Sequence, residues 1–379
     1  MSVELLESSS HSRRPKDSPF FQQRLPAWQP MFTAKKSAAT FIVLGIVFIP
    51  IGVILWITSN NVTEYVVDYT NCVDKTTNKS CSEQLDASTS CECVTSVRIT
   101  SDIPGPVYFY YGLKNFYQNH RRYGRSKSDA QLLGQKVAPN SLSSCAPYAT
   151  VDSGGMKKAI LPCGAIANSI FNDTFVITYH SDTKPATVVN MTSKGIAWKS
   201  DIDRKYGILT QEAAADTVKP PNWPRDEFKR TSEPFKSDEE LMVWMRVAAL
   251  PDFRKLHRRV VHEGDFSSGL PAGNYTVSVN YSFPVTGFGG RKSFIIGNVS
   301  WLGGKNNALG VTCIVTGVLH VMLGIAFLIV HIYSSRRYAS ALATMHTEMF
   351  EIASQHRDNS SVRIRTPIEL PRVTVLFRL

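Results

Sequence analysis

The chain has 379 residues, with 42 Lys or Arg against 31 Asp or Glu and a formal net charge of +11. That charge is spread out: residues 1–36 (six basic, three acidic) and 334–379 (seven basic, four acidic) each carry +3, and the remainder lies between them. No segment concentrates positive charge as nucleic-acid binding requires, so that class is excluded.

Residues 1–24 are rich in Ser, Arg and Pro and predict a mobile stretch within a polar tail, 1–36. From Ala38 to Ile57 the chain has no charged residue. Roughly 20 apolar residues cross a ~30 Å hydrocarbon core, which predicts a membrane helix over 37–57. The run is too long and starts too late for a signal peptide, and no small-residue cleavage site follows, so it reads as a retained anchor. Pro50 predicts a kink. Residues 58–308 follow as one large domain. A second run, Leu309–Tyr333, predicts a membrane helix over 309–333, and 334–379 is a second tail with a short helix expected over Ala339–Ala353. Lys35 and Lys36 precede the first run, and Arg336 and Arg337 follow the second. The opposite flanks hold Glu64, Asp68 and a single Lys305. The positive-inside rule puts both tails in the cytosol and 58–308 in the lumen or outside the cell.

Each run carries small residues seven apart: Ala38, Gly45 and Gly52 in the first, Gly310, Gly317 and Gly324 in the second. Seven residues are nearly two turns, so each trio marks one face suited to close helix packing in lipid. His320 is the ionisable residue deep in a span, and it reads as a neutral imidazole bonded to a neighbouring helix rather than a proton path.

Between the spans the pattern is mostly β. Tyr275 to Phe283 alternates apolar and polar residues, and Val94–Ile99, Phe175–Tyr179 and Phe294–Val299 are further strand candidates. One helix is marked: Ser237 and Glu240 have capping-box spacing, Leu241, Val243, Trp244 and Val247 follow, and Pro251 ends it. Tyr108–Arg125 is dense in aromatic and basic residues and reads as an aromatic core under arginine stacks.

Six of the seven cysteines, Cys72, Cys81, Cys91, Cys93, Cys145 and Cys163, lie in this domain; Cys313 lies in the second span. An even count on the oxidising side predicts a disulfide framework over the competing zinc site, for which no C-x-x-C pair exists. Cys91 and Cys93 share a strand face and cannot easily pair with each other, which leaves Cys72 and Cys81 as their partners in either order. Cys145 and Cys163 would close a loop of about 17 residues. Seven glycosylation sequons fall between the spans, at Asn61, Asn78, Asn172, Asn190, Asn274, Asn280 and Asn298. Asn61 and Asn298 lie nearest the membrane, where attachment is disfavoured. An eighth, Asn359, is in the cytosolic tail and is expected to stay bare.

Motifs of catalysis are wanting. Asp74-Lys75-Thr76-Thr77 lacks the glycine of a P-type ATPase phosphorylation loop, Gly303-Gly304-Lys305 fails the P-loop spacing, and Gly287–Gly290 lacks that of a dinucleotide site. His257 and His262 are not in H-E-x-x-H, and there is no G-x-S-x-G elbow.

Long segments of the chain resemble the cell cycle control protein 50 (transmembrane protein 30) family. They are RLPAWQP at Arg24–Pro30, IGVILWITSNNV from Ile51, YYGLKNFYQNHRRY at Tyr110–Tyr123, PCGAIANSIFNDTF at Pro162–Phe175, GIAWKSD at Gly195–Asp201, PPNWP at Pro220–Pro224, VWMRVAALPDFRKLHRR at Val243–Arg259 and WLGGKNNALG at Trp301–Gly310. The resemblance covers roughly residues 20 to 335. It implies a non-catalytic accessory subunit without cofactor or metal, paired with the catalytic subunit of a type IV P-type ATPase that flips membrane phospholipids to the cytosolic leaflet. It implies support of that subunit's folding and exit from the endoplasmic reticulum, towards Golgi, endosomes and plasma membrane. It implies a two-helix membrane protein with an antiparallel β-sandwich domain, Cys72–Cys93 nested around Cys81–Cys91, Cys145–Cys163, and family sequons at Asn172 and Asn274. The rival reading is a subunit of a two-span ligand-gated ion channel, which shares the topology but needs pore-lining polar residues that these spans scarcely offer.

Overall fold

The computed structural model describes residues 16–27, 32–84, 91–181, 185–223 and 233–358, the last six by their backbone alone. They form two compact units, one of Met1–Val53 with Val311–Leu379 and one of Ile54–Gly310.

Two long apolar helices bracket the domain in sequence. The N-terminal helix is Ala34–Asn60, 27 residues with Pro50 inside. The C-terminal helix is Ala308–Asp358, 51 residues. Both are long and apolar enough to cross a membrane. A short helix of its own is expected over Ala339–Ala353. The structure has one unbroken helix instead, because residues 334–352 contain neither Gly nor Pro and hold helix-favouring Ala, Arg, Met and Glu. At 1.5 Å per residue it is about 77 Å long, more than twice a ~30 Å hydrocarbon core.

The unit Ile54–Gly310 is mainly antiparallel β. Its larger sheet has the order β1 (Glu64–Asp68), β14 (Arg291–Asn298), β4 (Val107–Lys114), β11 (Phe253–Val260), β9 (Met191–Thr192). A second has the order β2 (Cys91–Ile99), β13 (Gly273–Tyr281), β7 (Thr174–His180), β8 (Thr187–Val188). Two small sheets complete the set: β10 (Thr217–Val218), β6 (Met156–Ile160) and β5 (Thr150–Ser153), and β12 (Gly269–Leu270) with β3 (Ile103–Pro104). The β6–β10 pair is parallel.

The two main sheets share one core. Tyr275, Val277, Val279 and Tyr281 on β13 are buried, as are Phe109, Tyr111 and Leu113 on β4. Phe109 meets Phe175 of β7 with ring centroids 5.0 Å apart, and Phe294 of β14 at 5.7 Å. The predicted strands all form, within a few residues of their expected ends. Two central ones were not legible. β4 lies inside the aromatic and basic stretch, which splits into this strand, a loop and a short helix at Arg121–Arg125. β11 buries Lys255 and His257 beside Val260, so its alternation is hidden from an apolar pattern.

The marked helix also differs. It spans Glu239–Met245, and Asp238 rather than Ser237 caps it, its carboxylate accepting from the Leu241 amide at 2.9 Å. A carboxylate one residue later fits the cap position and complements the helix dipole. The helix stops well before Pro251, because Lys255 closes its end. The Lys255 ammonium donates to the carbonyls of Val243 (3.0 Å), Trp244 (2.5 Å) and Arg246 (2.6 Å), groups a helix terminus leaves without partners.

Candidate functional site

The small-residue stripes of the two helices face each other. Ala38, Gly45 and Gly52 are buried on one helix, and Gly310, Gly317 and Gly324 on the other. A Cβ on Gly45 would sit 2.8 Å from the Gly317 carbonyl oxygen, and one on Gly317 would sit 3.0 Å from the Ile49 amide nitrogen. One on Gly324 would lie 3.1 Å from the Ile42 nitrogen, and one on Gly310 2.7 Å from the Trp56 nitrogen. The stripes therefore let the backbones of this chain's own helices approach, and are not free for another protein. The outward faces carry large apolar side chains, among them Val43, Ile46 and Ile54, and Leu319, Met322 and Ile329. The sequence reading missed one member: Ser59 continues the seven-residue spacing, is buried, and accepts from the Asn306 amide at 2.9 Å.

His320 bonds its own helix, not its neighbour. Nδ1 is 2.7 Å from the Thr316 carbonyl, and the ring stacks between Phe41 and Phe48 of the other helix at 5.6 and 6.0 Å. The i−4 carbonyl is the nearest acceptor to a helical side chain at this position, and it fixes the Nδ1–H tautomer.

In the β domain the cysteines join as Cys72–Cys93, Cys81–Cys91 and Cys145–Cys163, with Cα separations of 5.9, 5.7 and 5.7 Å. The first two tie the start of β2 to the segment before it. Among the described residues, the clusters of potential metal ligands consist of these disulfide sulfurs with or without Asp74, and a disulfide sulfur is no thiolate ligand.

Two of the family-like segments reach one short helix, Ala165–Asn168, which belongs to a third. Trp223 donates its indole N–H to the Ala167 carbonyl and Trp244 to the Ile166 carbonyl, both at 2.7 Å. Gly164, at φ +104°, opens that helix, and a side chain there would overlap the Ser126 carbonyl. Just beyond it lies a charge cluster. Asp173 and Lys292 pair at 2.6 Å with both side chains fully buried. Asp173 also accepts from the Tyr69 hydroxyl (2.8 Å) and from the amides of Ser282 (2.6 Å) and Phe283 (2.7 Å). Lys292 donates to the Phe283 carbonyl at 2.6 Å and lies 3.1 Å above the Tyr281 ring. Burial pulls Lys292 down to about 8, against the opposing pull of Asp173. Burial, with Asp173 beside it, holds the Tyr69 phenol well above its usual range, so it remains a donor. No sequence signal pointed to this pair: its members are 119 residues apart, and Asp173 reads only as the middle of a sequon.

His257 is also structural. It is enclosed by Phe109, Tyr111, Phe171 and Phe175, with centroids 5.4 to 6.3 Å away, and burial, then Arg258, lowers it to about 3. The folded state thus refuses a proton that the unfolded chain takes up below about 6.5. Stability is full above that pH and falls as pH drops towards 3, by up to about 1.4 kcal/mol per unit. His257→Phe should flatten this part of a melting-temperature profile between pH 6.5 and 4; an unchanged slope would assign it to other groups.

The sequon residues Asn78, Asn190 and Asn274 are exposed, while Asn172, Asn280 and Asn298 are half-buried. Asn298 uses its carbonyl oxygen to accept from the Thr63 amide at 2.9 Å. Asn359 and residues 28–30 of the RLPAWQP segment lie outside the described residues.

Comparison with known proteins decides the kinship. The family described as LEM3 (ligand-effect modulator 3) / CDC50 matches residues 55–337, from the end of the N-terminal helix, through strands β1 to β14, into the C-terminal helix. The chain belongs to the CDC50 family. Cell cycle control protein 50A of Mus musculus is 40% identical over 337 residues, covering 85% of this chain and 90% of that one. Cell cycle control protein 50B of Homo sapiens is 40% identical over 339 residues, with 85% and 94% covered. ALA-interacting subunit 3 of Arabidopsis thaliana is 38% identical over 335 residues, with 86% and 89% covered. The CDC50 match stops at residue 337, so the last 21 residues of the long helix lie beyond it.

Proposed function

We propose that this chain is the non-catalytic accessory subunit of a type IV P-type ATPase that moves phospholipid to the cytosolic leaflet, and that it supports that subunit's folding and its exit from the endoplasmic reticulum. The observation that carries this reading is the family match from the end of the N-terminal helix, across the whole β domain, into the C-terminal helix. One relative is by its name an interacting subunit. The chemistry is compatible. The buried Lys292, Asp173 and His257 are spent on packing and pairing, and the six cysteines of the β domain on cross-links.

The topology that goes with this reading places both tails in the cytosol and 58–308 opposite, glycosylated at Asn172 and Asn274 first. In sealed microsomes, protease should trim only the tails, and glycosidase should collapse a ladder of heavier forms. Cleavage within 60–305 without detergent would reverse the topology. The function is tested by joint expression with a type IV P-type ATPase, reading co-purification and phospholipid-stimulated ATP hydrolysis. An ATPase that leaves the endoplasmic reticulum and works equally well without this chain would overturn it.

A further inference from the structure

The C-terminal helix runs on for 21 residues beyond the family match, from residue 338 to residue 358, and this extension carries a pattern that a merely solvated helix does not need. Leu342, Met345, Met349 and Ile352 recur at intervals of three, four and three residues, the spacing of the a and d positions of a heptad repeat. They line one stripe of the helix and are 57, 59, 63 and 59% exposed. Tyr338, four residues before Leu342, continues the spacing towards the membrane. Away from the stripe the hydroxyls are satisfied by the helix itself: Ser340, Thr344 and Thr347 donate to the carbonyls of Arg337, Ser340 and Ala343 at 2.9, 2.9 and 2.6 Å.

The period selects the kind of partner. A stripe repeating every 3.5 residues drifts slowly around a helix of 3.6 residues per turn, and a second helix wound about the first keeps it covered. A lipid surface is the lesser fit. Residues 338–358 hold Glu348, Glu351 and Asp358 against Arg357 alone. Helices that lie on anionic leaflets carry Lys and Arg beside their apolar face. The extension is also one helix with the span, with neither Gly nor Pro between residues 325 and 358 at which to turn onto the membrane.

A second copy of this chain meets the remaining requirements. Two copies in one membrane hold these helices parallel and at one height, because each extension is continuous with its own span. By the helical rise, Leu342 to Ile352 lies about 14 to 29 Å past Tyr333 in both. In that register each stripe residue meets its own counterpart layer by layer. The flanking positions pair 341 with 346 and 348 with 353, Ala with His and Glu with Ala, so no like charges meet. A seam of two heptads is weak between free helices. Here the cost of starting the helix is already met by the span, and confinement to one membrane raises the effective concentration. We propose that Leu342, Met345, Met349 and Ile352 form a parallel coiled-coil seam between two copies of this chain, on the side of the membrane that holds its tails. This pairing goes beyond the accessory-subunit reading and does not depend on it.

The test uses the full chain in the membranes of cells that express it, with one cysteine added at a time. Leu342→Cys, Met345→Cys and Met349→Cys lie on the stripe; Thr347→Cys and Phe350→Cys lie off it. Phe350 is 80% exposed, so joining governed by exposure alone would favour it. A disulfide needs Cα atoms within about 7 Å, and mild oxidation should therefore yield a dimer of twice the chain mass from the three stripe positions and little from the other two. The unsubstituted chain, whose Cys313 lies in the span, sets the background. Met345→Glu with Met349→Glu should lower the dimer yield from Leu342→Cys by about tenfold, because glutamate favours the helix but brings like charges into the seam. Met345→Leu with Met349→Leu should preserve it. Equal yields on and off the stripe, no dimer from any position, adducts only with a different protein, or a parental yield from the double glutamate variant would overturn the seam. Co-purification with an ATPase is read separately, so the accessory-subunit reading stands or falls on its own measurement.

Discussion

Asp173→Ala should leave little correctly folded β domain. The substitution strands the Lys292 ammonium at zero exposure with no counter-ion, and removes the acceptor of the Tyr69 hydroxyl and the Ser282 and Phe283 amides. Breaking a buried pair by deleting one partner costs about 3–5 kcal/mol, a large part of the ~5–15 kcal/mol that holds a domain together. The site joins the β7 entrance to β14 and to the segment after β13, so the loss falls on both main sheets at once. Asn172 and Thr174 still frame a sequon in this variant, because the middle position accepts any residue but proline. Any loss of folded protein is therefore separable from loss of a glycan. The measurement is the thermal midpoint of the purified chain, with the yield of the three native disulfides as a second reading. Asp173→Asn with Lys292→Met, which removes both charges, should recover most of the loss, since a buried ion pair is often replaceable by neutral groups at little cost. A single substitution costing under about 1 kcal/mol would show that water reaches the pair.

Gly317→Leu should force the two apolar helices apart. Even a methyl group there would lie 3.0 Å from the Ile49 amide nitrogen and 2.7 Å from its Cγ1, so a leucine has no space while the backbones hold their present approach. In lipid, close packing is what holds helices together, because burying an apolar side chain in apolar solvent gains little. Overpacking costs about 1–3 kcal/mol in soluble cores, and the backbone contact at this site puts the expected cost at the upper end. The detergent-purified chain should melt several degrees lower. Leu319→Ala, on the outward face, should leave that midpoint near the parental value. Equal shifts from both substitutions would refute the inward role of the stripe. Under the accessory-subunit reading, Gly317→Leu also weakens capture of the ATPase indirectly, through the shape of the helix pair.

The sequence by itself determined the parts of this protein that rest on local pattern. Two uncharged runs of membrane length specify two apolar helices, because no other backbone arrangement satisfies its own hydrogen bonds in lipid within a single segment. Strict alternation at Tyr275 to Tyr281 specified β13, since one face of that strand had to be buried. Seven-residue spacing marked the helix faces, and family resemblance marked the cysteine pairs. What the stripes pack against was decided only in three dimensions: periodicity shows that a face is small, not which helix approaches it. β11 was hidden because it buries Lys255 and His257, and a polar residue looks solvent-bound until its partners, the carbonyls closing a helix and a cage of aromatic rings, come from elsewhere in the chain. The same holds for Asp173 and Lys292. Nothing near either residue compensates its charge, and only folding, which brings β7 and β14 to one core, supplies the counter-ion that lets both leave water.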